Sequence, residues 1–194
     1  MKTDIILSGV GGQGILSIAA VIGEAALEEG LCMKQSEVHG MSQRGGDVQS
    51  NLRLSRRPVA SDLIPLGQAD LIISLEPMES LRYLPWLKRE GWVVTNSQPY
   101  LNIPNYPGME NINAELDKLP HMIALDAEEI AKEAGTARVA NMVILGAAAR
   151  FICIEYGKIE EGVRRVFRRK GEDVVALNLK ALRAGFDATM QIMT

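Results

Sequence analysis

The sequence predicts a three-layer α/β/α fold, Rossmann-like, built on a mostly parallel sheet with one antiparallel or edge strand and a helical C-terminal layer. Three observations carry this. Short apolar runs alternate with helix-like patterns through the first two thirds of the chain. A glycine-rich turn follows the first of those runs directly and opens a helix. From about residue 127 onward every remaining segment has helical periodicity.

In chain order, DIILS (4–8) reads as a short buried strand and GVGGQG as its turn. ILSIAAVIGEAAL (15–27) is helical, with Gly30 as its stop signal. MKQSEV (33–38) is the next strand, and HGMSQRGG (39–46) is a loop. DVQSNLRLS alternates strictly: Val48, Ser50, Leu52 and Leu54 face one way, Gln49, Asn51 and Arg53 the other. Period two with a polar face predicts a strand wet on one side, antiparallel or at an edge. DLIISL (70–75) and WVVTN (92–96) are apolar strands flanking the helix-like PMESLRYLPWLKR, and HMIALD (121–126) is another strand. The proline-marked stretch 97–109 reads as irregular, an active-site or interface loop. Helices are expected over 127–135, 137–157, 158–170 and 175–193, the apolar part from Val139 to Ile154 being core with surplus apolar surface for an interface.

At 194 residues the chain is expected to form one domain, 1–194, with a sizeable core. Hydrophobic content of 47% and charged content of 23% are ordinary for a globular protein. A net charge of −3 and 5% aromatic residues argue against nucleic acid as a partner. The N-terminus meets acid and glycine too early for a signal peptide, and the longest apolar stretch is interrupted by Arg150, so no membrane partner is expected. Cys32 and Cys153 stand alone, which excludes a four-thiolate site within this chain and suggests a reducing, cytoplasmic setting.

The candidate site is a set of polar groups and glycines at the expected carboxyl ends of the strands. Gly9, Gly11, Gly12, Gln13 and Gly14 satisfy G-x-G-x-x-G between strand and helix, where free N–H groups attract phosphate; alternatively Gly14 only lets helix and sheet pack closely. The dinucleotide fingerprint also needs an acid at the end of the second strand. Glu37 falls one residue inside that position, so the match to NAD is partial. In the second loop, His39, Gln43, Arg44, Gly45 and Gly46 could grip an anion. Arg44 would do so through its fork of donors, or brace the loop by an ion pair. His39 is equally well explained as a hydrogen-bonding residue at a strand end. Glu76 and Asn96 end strands, facing a cleft or starting the helix and turn that follow. The run Arg164, Arg165, Arg168, Arg169 and Lys170 reads as a solvated face or a subunit contact.

GVGGQG, EVHGMSQRGGDVQSNLRLS, SLEPMESLRYL, TNSQP and RVANMVILGA occur in an order that resembles the gamma subunit or domain of the 2-oxoacid:ferredoxin oxidoreductases. Within that family the resemblance is greatest to the small (beta) subunits of the indolepyruvate type. It covers essentially the whole chain. It implies oxidative decarboxylation of an aryl 2-oxoacid with thiamine diphosphate, iron–sulfur clusters and coenzyme A, and with ferredoxin as acceptor. It also implies a large (alpha) subunit that carries the thiamine diphosphate and the clusters. No catalytic acid, base or nucleophile is expected here. Two rivals stand beside this reading: a self-sufficient NAD(P)-binding oxidoreductase and a non-catalytic scaffold subunit.

Overall fold

The computed structural model describes residues 2–40 and 45–193. A six-stranded sheet runs β2-β3-β1-β4-β5-β6, formed by β1 (Lys2–Val10), β2 (Cys32–His39), β3 (Asp47–Ser55), β4 (Ala69–Ser74), β5 (Leu87–Asn96) and β6 (Met122–Leu125). β1, β4, β5 and β6 are parallel neighbours, while β3 lies antiparallel to both β1 and β2. One strand therefore runs against the others, as expected, but it is internal. The edge is β2.

The expected wet face of β3 is a correction. Asn51 and Arg53 are buried beneath the segment 56–68. Arg53 stands opposite Asp4 in register and forms a two-pronged pair with its carboxylate, Nε to Oδ1 at 2.9 Å and Nη2 to Oδ2 at 3.2 Å. Its Nη1 donates to the carbonyls of Ser61 and Leu63, and Asn51 Oδ1 accepts from the Ile64 amide. Alternation located the polar face correctly, but the polar groups satisfy one another and not water.

The principal core lies on the other face, where Ile5, Leu7, Leu52, Leu54, Leu71 and Ile73 point. α1 (Ile15–Glu28) and α5 (Ala140–Ala148) pack directly on it, with every residue of α5 from Asn141 to Ala148 buried. α6 (Tyr156–Phe167) covers α1, and α7 (Glu172–Ile192) covers α5, with α4 (Ala127–Ala134) alongside. Of the C-terminal helices, α5 thus lies in the tier against the sheet, and α6 and α7 form a second tier over it and α1. The surplus apolar surface expected on 139–154 is covered by α7 of the same chain, which corrects the interface expectation. α7 comes this close because Gly146 and Gly185 lack side chains: a Cβ on Gly146 would overlap the Leu182 carbonyl, and one on Gly185 the Val143 carbonyl. Ile6, Ile72, Val93, Ile64 and Tyr83 form a thinner second core on the opposite face, near α2 (Pro77–Arg82).

Two further boundaries differ from expectation. The helix at 77–89 stops at Arg82, and after a 3-10 turn at Leu84–Trp86 the chain is already strand from Leu87. Pro85 lacks the N–H that would continue the helix. Conversely, the irregular stretch ends at Gly108, and α3 (Met109–Leu116) follows.

Candidate functional site

The described candidate residues gather at the carboxyl ends of β1, β4 and β5 and at the amino end of β3. Gly9 lies in β1, which ends at Val10, and Gly11 to Gly14 form the turn from there into α1. Gln13 is its staple: Oε1 accepts from Val10 N at 2.7 Å and Nε2 donates to Leu75 O at 3.1 Å. Both ends of that amide are therefore committed within the fold. Gly14 caps α1 with φ +94°, and Asn141 lies where a Cβ would sit, its Nδ2 donating to the Gly14 carbonyl at 3.2 Å. Gly12, with φ +105°, faces open space. The Ser17 and Ile18 amides of α1 already donate to the Gly14 carbonyl, which leaves those of Ile15 and Leu16 without an acceptor in the helix, and no acid lies in its first turn.

The two glycine turns meet. Gly11 N donates to Gly46 O at 2.9 Å and Gly45 N to Gly11 O at 3.3 Å. One turn amide, that of Gly11, is thereby used on the neighbouring main chain and is not offered to an anion. His39 ends β2. Gln43 and Arg44 lie outside the described residues.

Glu76 is completely buried and serves as N-cap of α2, its Oε2 accepting from Glu79 N at 2.8 Å. Its Oε1 accepts from the Tyr106 hydroxyl and from Tyr100 N. Burial, then the hydrogen bond to Glu76, pushes the Tyr106 phenol above its ordinary range. Asn96 holds the start of α4 through Ala127 N and its own turn through Gln98 O. Glu76 and Asn96 thus anchor the loop 97–108 over the end of the sheet. The same loop reaches the second glycine turn, where Asn102 Nδ2 donates to Gly45 O at 2.8 Å. Asn102, Tyr100 and Tyr106 were not singled out in the sequence. The only signal for them is the proline content of their loop.

Two hollows flank Gly12. One of about 320 Å³ opens on the α1 face toward β2, and one of about 190 Å³ lies toward Asn96, Tyr100, Glu128 and Arg138. β3 also separates the carboxyl end of β2 from the first glycine turn. In a dinucleotide fold the second strand adjoins the first and brings its acid to the ribose. Here that end lies two strand spacings away, about 10 Å. As for metal, Cys32 opens β2 and Cys153 follows α5. Among the described residues no three His, Cys, Asp or Glu side chains converge, so this donor set does not fit an iron–sulfur cluster. No helix among the described residues is long and apolar enough to cross a membrane.

The chain matches the family model for pyruvate ferredoxin/flavodoxin oxidoreductase over residues 4–188. It is 37% identical to the indolepyruvate oxidoreductase subunit IorB of Archaeoglobus fulgidus, across 96% of this chain and 95% of that protein. It superposes on a keto/oxoacid ferredoxin oxidoreductase gamma subunit from Geobacter sulfurreducens with a TM-score of 0.72 and 27% identity, covering 97% of this chain and 99% of that one. A 2-oxoglutarate:ferredoxin oxidoreductase from Magnetococcus marinus, solved with 2-oxoglutarate, coenzyme A and succinyl-CoA bound, shares the fold at a TM-score of 0.75 and 23% identity. All of this chain aligns there with 32% of the longer one. The chain belongs to the pyruvate ferredoxin/flavodoxin oxidoreductase family, as a gamma-type subunit of an oxidoreductase complex.

Proposed function

We propose that this chain is the small subunit of a cytoplasmic oxidoreductase that converts an arylpyruvate, coenzyme A and oxidised ferredoxin to arylacetyl-coenzyme A, carbon dioxide and reduced ferredoxin. The observation that carries the reading is the junction of the two glycine turns. Bare main chain, the open start of α1 and Gly45, next in sequence to Arg44, meet there at the carboxyl ends of the parallel strands. Thiamine diphosphate and iron–sulfur clusters on a large partner would supply decarboxylation and electron transfer. This chain's part is binding and orientation. N–H groups at the start of α1 and the Arg44 guanidinium hold the anionic part of coenzyme A. Glu76 and Asn102 fix the loop 97–108 beside it, so that this wall is set before the ligand arrives.

A large partner is supported by the Magnetococcus relative, in which the counterpart of this chain is about a third of a longer polypeptide. The absence of a convergent cysteine set here points the same way. The test is reconstitution. The isolated chain should reduce no viologen dye with indolepyruvate and coenzyme A, and activity should appear when it is combined with a cluster-bearing large subunit. Thiamine-dependent dye reduction by the chain alone would overturn the reading.

A further inference from the structure

The basic run at the end of α6 plays no part in the site above, and the fold gives it a setting of its own. α6 and α7 lie side by side in the second tier, α6 over α1 and α7 over α5, joined through the 3-10 turn Arg168–Lys170. Between them is a trough of about 1000 Å³. Half-buried Val166, Val175 and Leu179 line it with apolar surface, and exposed Arg164, Arg165, Arg168 and Arg169 border it. These arginines are not alike. Arg165 is held by Glu24, Glu28 and Glu161, and Arg164 pairs with Glu161 at 3.9 Å. The guanidinium groups of Arg168 and Arg169 engage no carboxylate or other acceptor among the described residues. The dipole of α6 favours cations at its end, but it gives no reason for an apolar floor beside them.

A compact anion does not suit this trough, because Glu161 and Glu172 also line it and would repel one. A chain segment that spaces its carboxylates does suit it: it can meet Arg168 and Arg169 while its apolar side chains cover Val166, Val175 and Leu179. We infer that the trough seats an acidic amphipathic helix of the large partner subunit, with its carboxylates on Arg168 and Arg169. Apolar anchors spaced i, i+3, i+4 and i+7 form the row of side chains that a groove between helices accepts. Arginine is enriched at such contacts and lysine depleted, since the guanidinium is weakly hydrated and its planar fork matches a carboxylate. The apolar floor favours a permanent subunit over an electron carrier that docks transiently on a small polar surface. That a large partner exists rests on the reading above; the chemistry of the trough does not.

Crosslinking in the assembled complex tests the inference. Benzoylphenylalanine replaces Ala176, an exposed residue of the trough, in the full chain bound to its large subunit, and the peptides joined on illumination are identified by mass. The expected product links position 176 to an acidic segment of the large subunit. Independently, Arg168→Glu combined with Arg169→Glu should weaken the association of the two subunits at least about tenfold, with a larger effect at low salt. The melting temperature of the chain should not change, because neither guanidinium has a partner to lose. A crosslink only to a second copy of this chain, only to added ferredoxin, or to nothing overturns the inference, and so does unaltered association of the double variant. Neither readout depends on turnover. A crosslinked complex that leaves indolepyruvate unconverted would end the catalytic reading and keep this one, and an active complex with position 176 unlinked would do the reverse.

Discussion

Tyr83 sits in the second core against Ile6, Ile72 and Val93, only 4% exposed. Burial, reinforced by the charges of Asp47 and Glu79, pushes its phenol from the usual 10 up to about 12. A folded-state value above the unfolded one means that the native state holds its proton longer. The associated stability is complete below pH 10 and is lost as pH rises through about 12. Each pH unit in that interval costs at most about 1.4 kcal/mol per such group. Tyr156, also raised to about 12 chiefly by burial, adds its own share. Denaturant unfolding between pH 10 and 12 should therefore show a shallower loss of stability in Tyr83→Phe than in the parent. Identical slopes would remove Tyr83 from the account.

The α5–α7 contact rests on two residues without side chains. A methyl group on Gly185 would run into the Val143 carbonyl, which cannot rotate away as a side chain can, so the helices must separate. Gly185→Ala should cost about 1–3 kcal/mol by overpacking. In a chain of this size that lowers the melting temperature by several degrees, measurable by thermal unfolding. An unchanged midpoint would mean that α7 slides at no cost. The elements also show which signals in the sequence were readable. Apolar runs or alternation identified five of the six strands and both principal core helices, because those residues face one environment along much of their length, while the mostly polar β2 was placed as the strand following α1. Breaks such as Pro85 and the turn after Ala148 were passed over, since the apolar pattern continues across them while the backbone does not. β3 misled for the opposite reason. Arg53 has the sequence pattern of a wet residue, but its partner Asp4 is 49 residues away and only the sheet register brings the two together.

At the scale of the molecule, the glycine turns, the Glu76–Tyr106 clasp and both hollows beside Gly12 line the rim formed by the carboxyl ends of the parallel strands, while the helix–helix core fills one face. The turns could be recognised in the sequence by their glycines. That they are neighbours also followed from their shared place at the carboxyl ends of the strands, and the Gly11–Gly46 bond agrees; Asn102's bond to Gly45 could not be foreseen, because a contact across 57 residues leaves no local pattern. This separation of rim from core makes function and stability independently adjustable. Arg44→Ala removes a charged donor next in sequence to Gly45, whose own hydrogen bonds go to Gly11 and Asn102 and not to the helix–helix core. In the reconstituted complex it should raise KM for coenzyme A by about 10- to 100-fold, the worth of a hydrogen bond to a charged group, with the melting temperature unchanged. Gly185→Ala should do the reverse, lowering the midpoint while leaving KM as it was. Equal loss of both quantities in either variant would mean that the rim and the core are one cooperative unit, and the binding role assigned to the glycine rim would then have no support separate from folding.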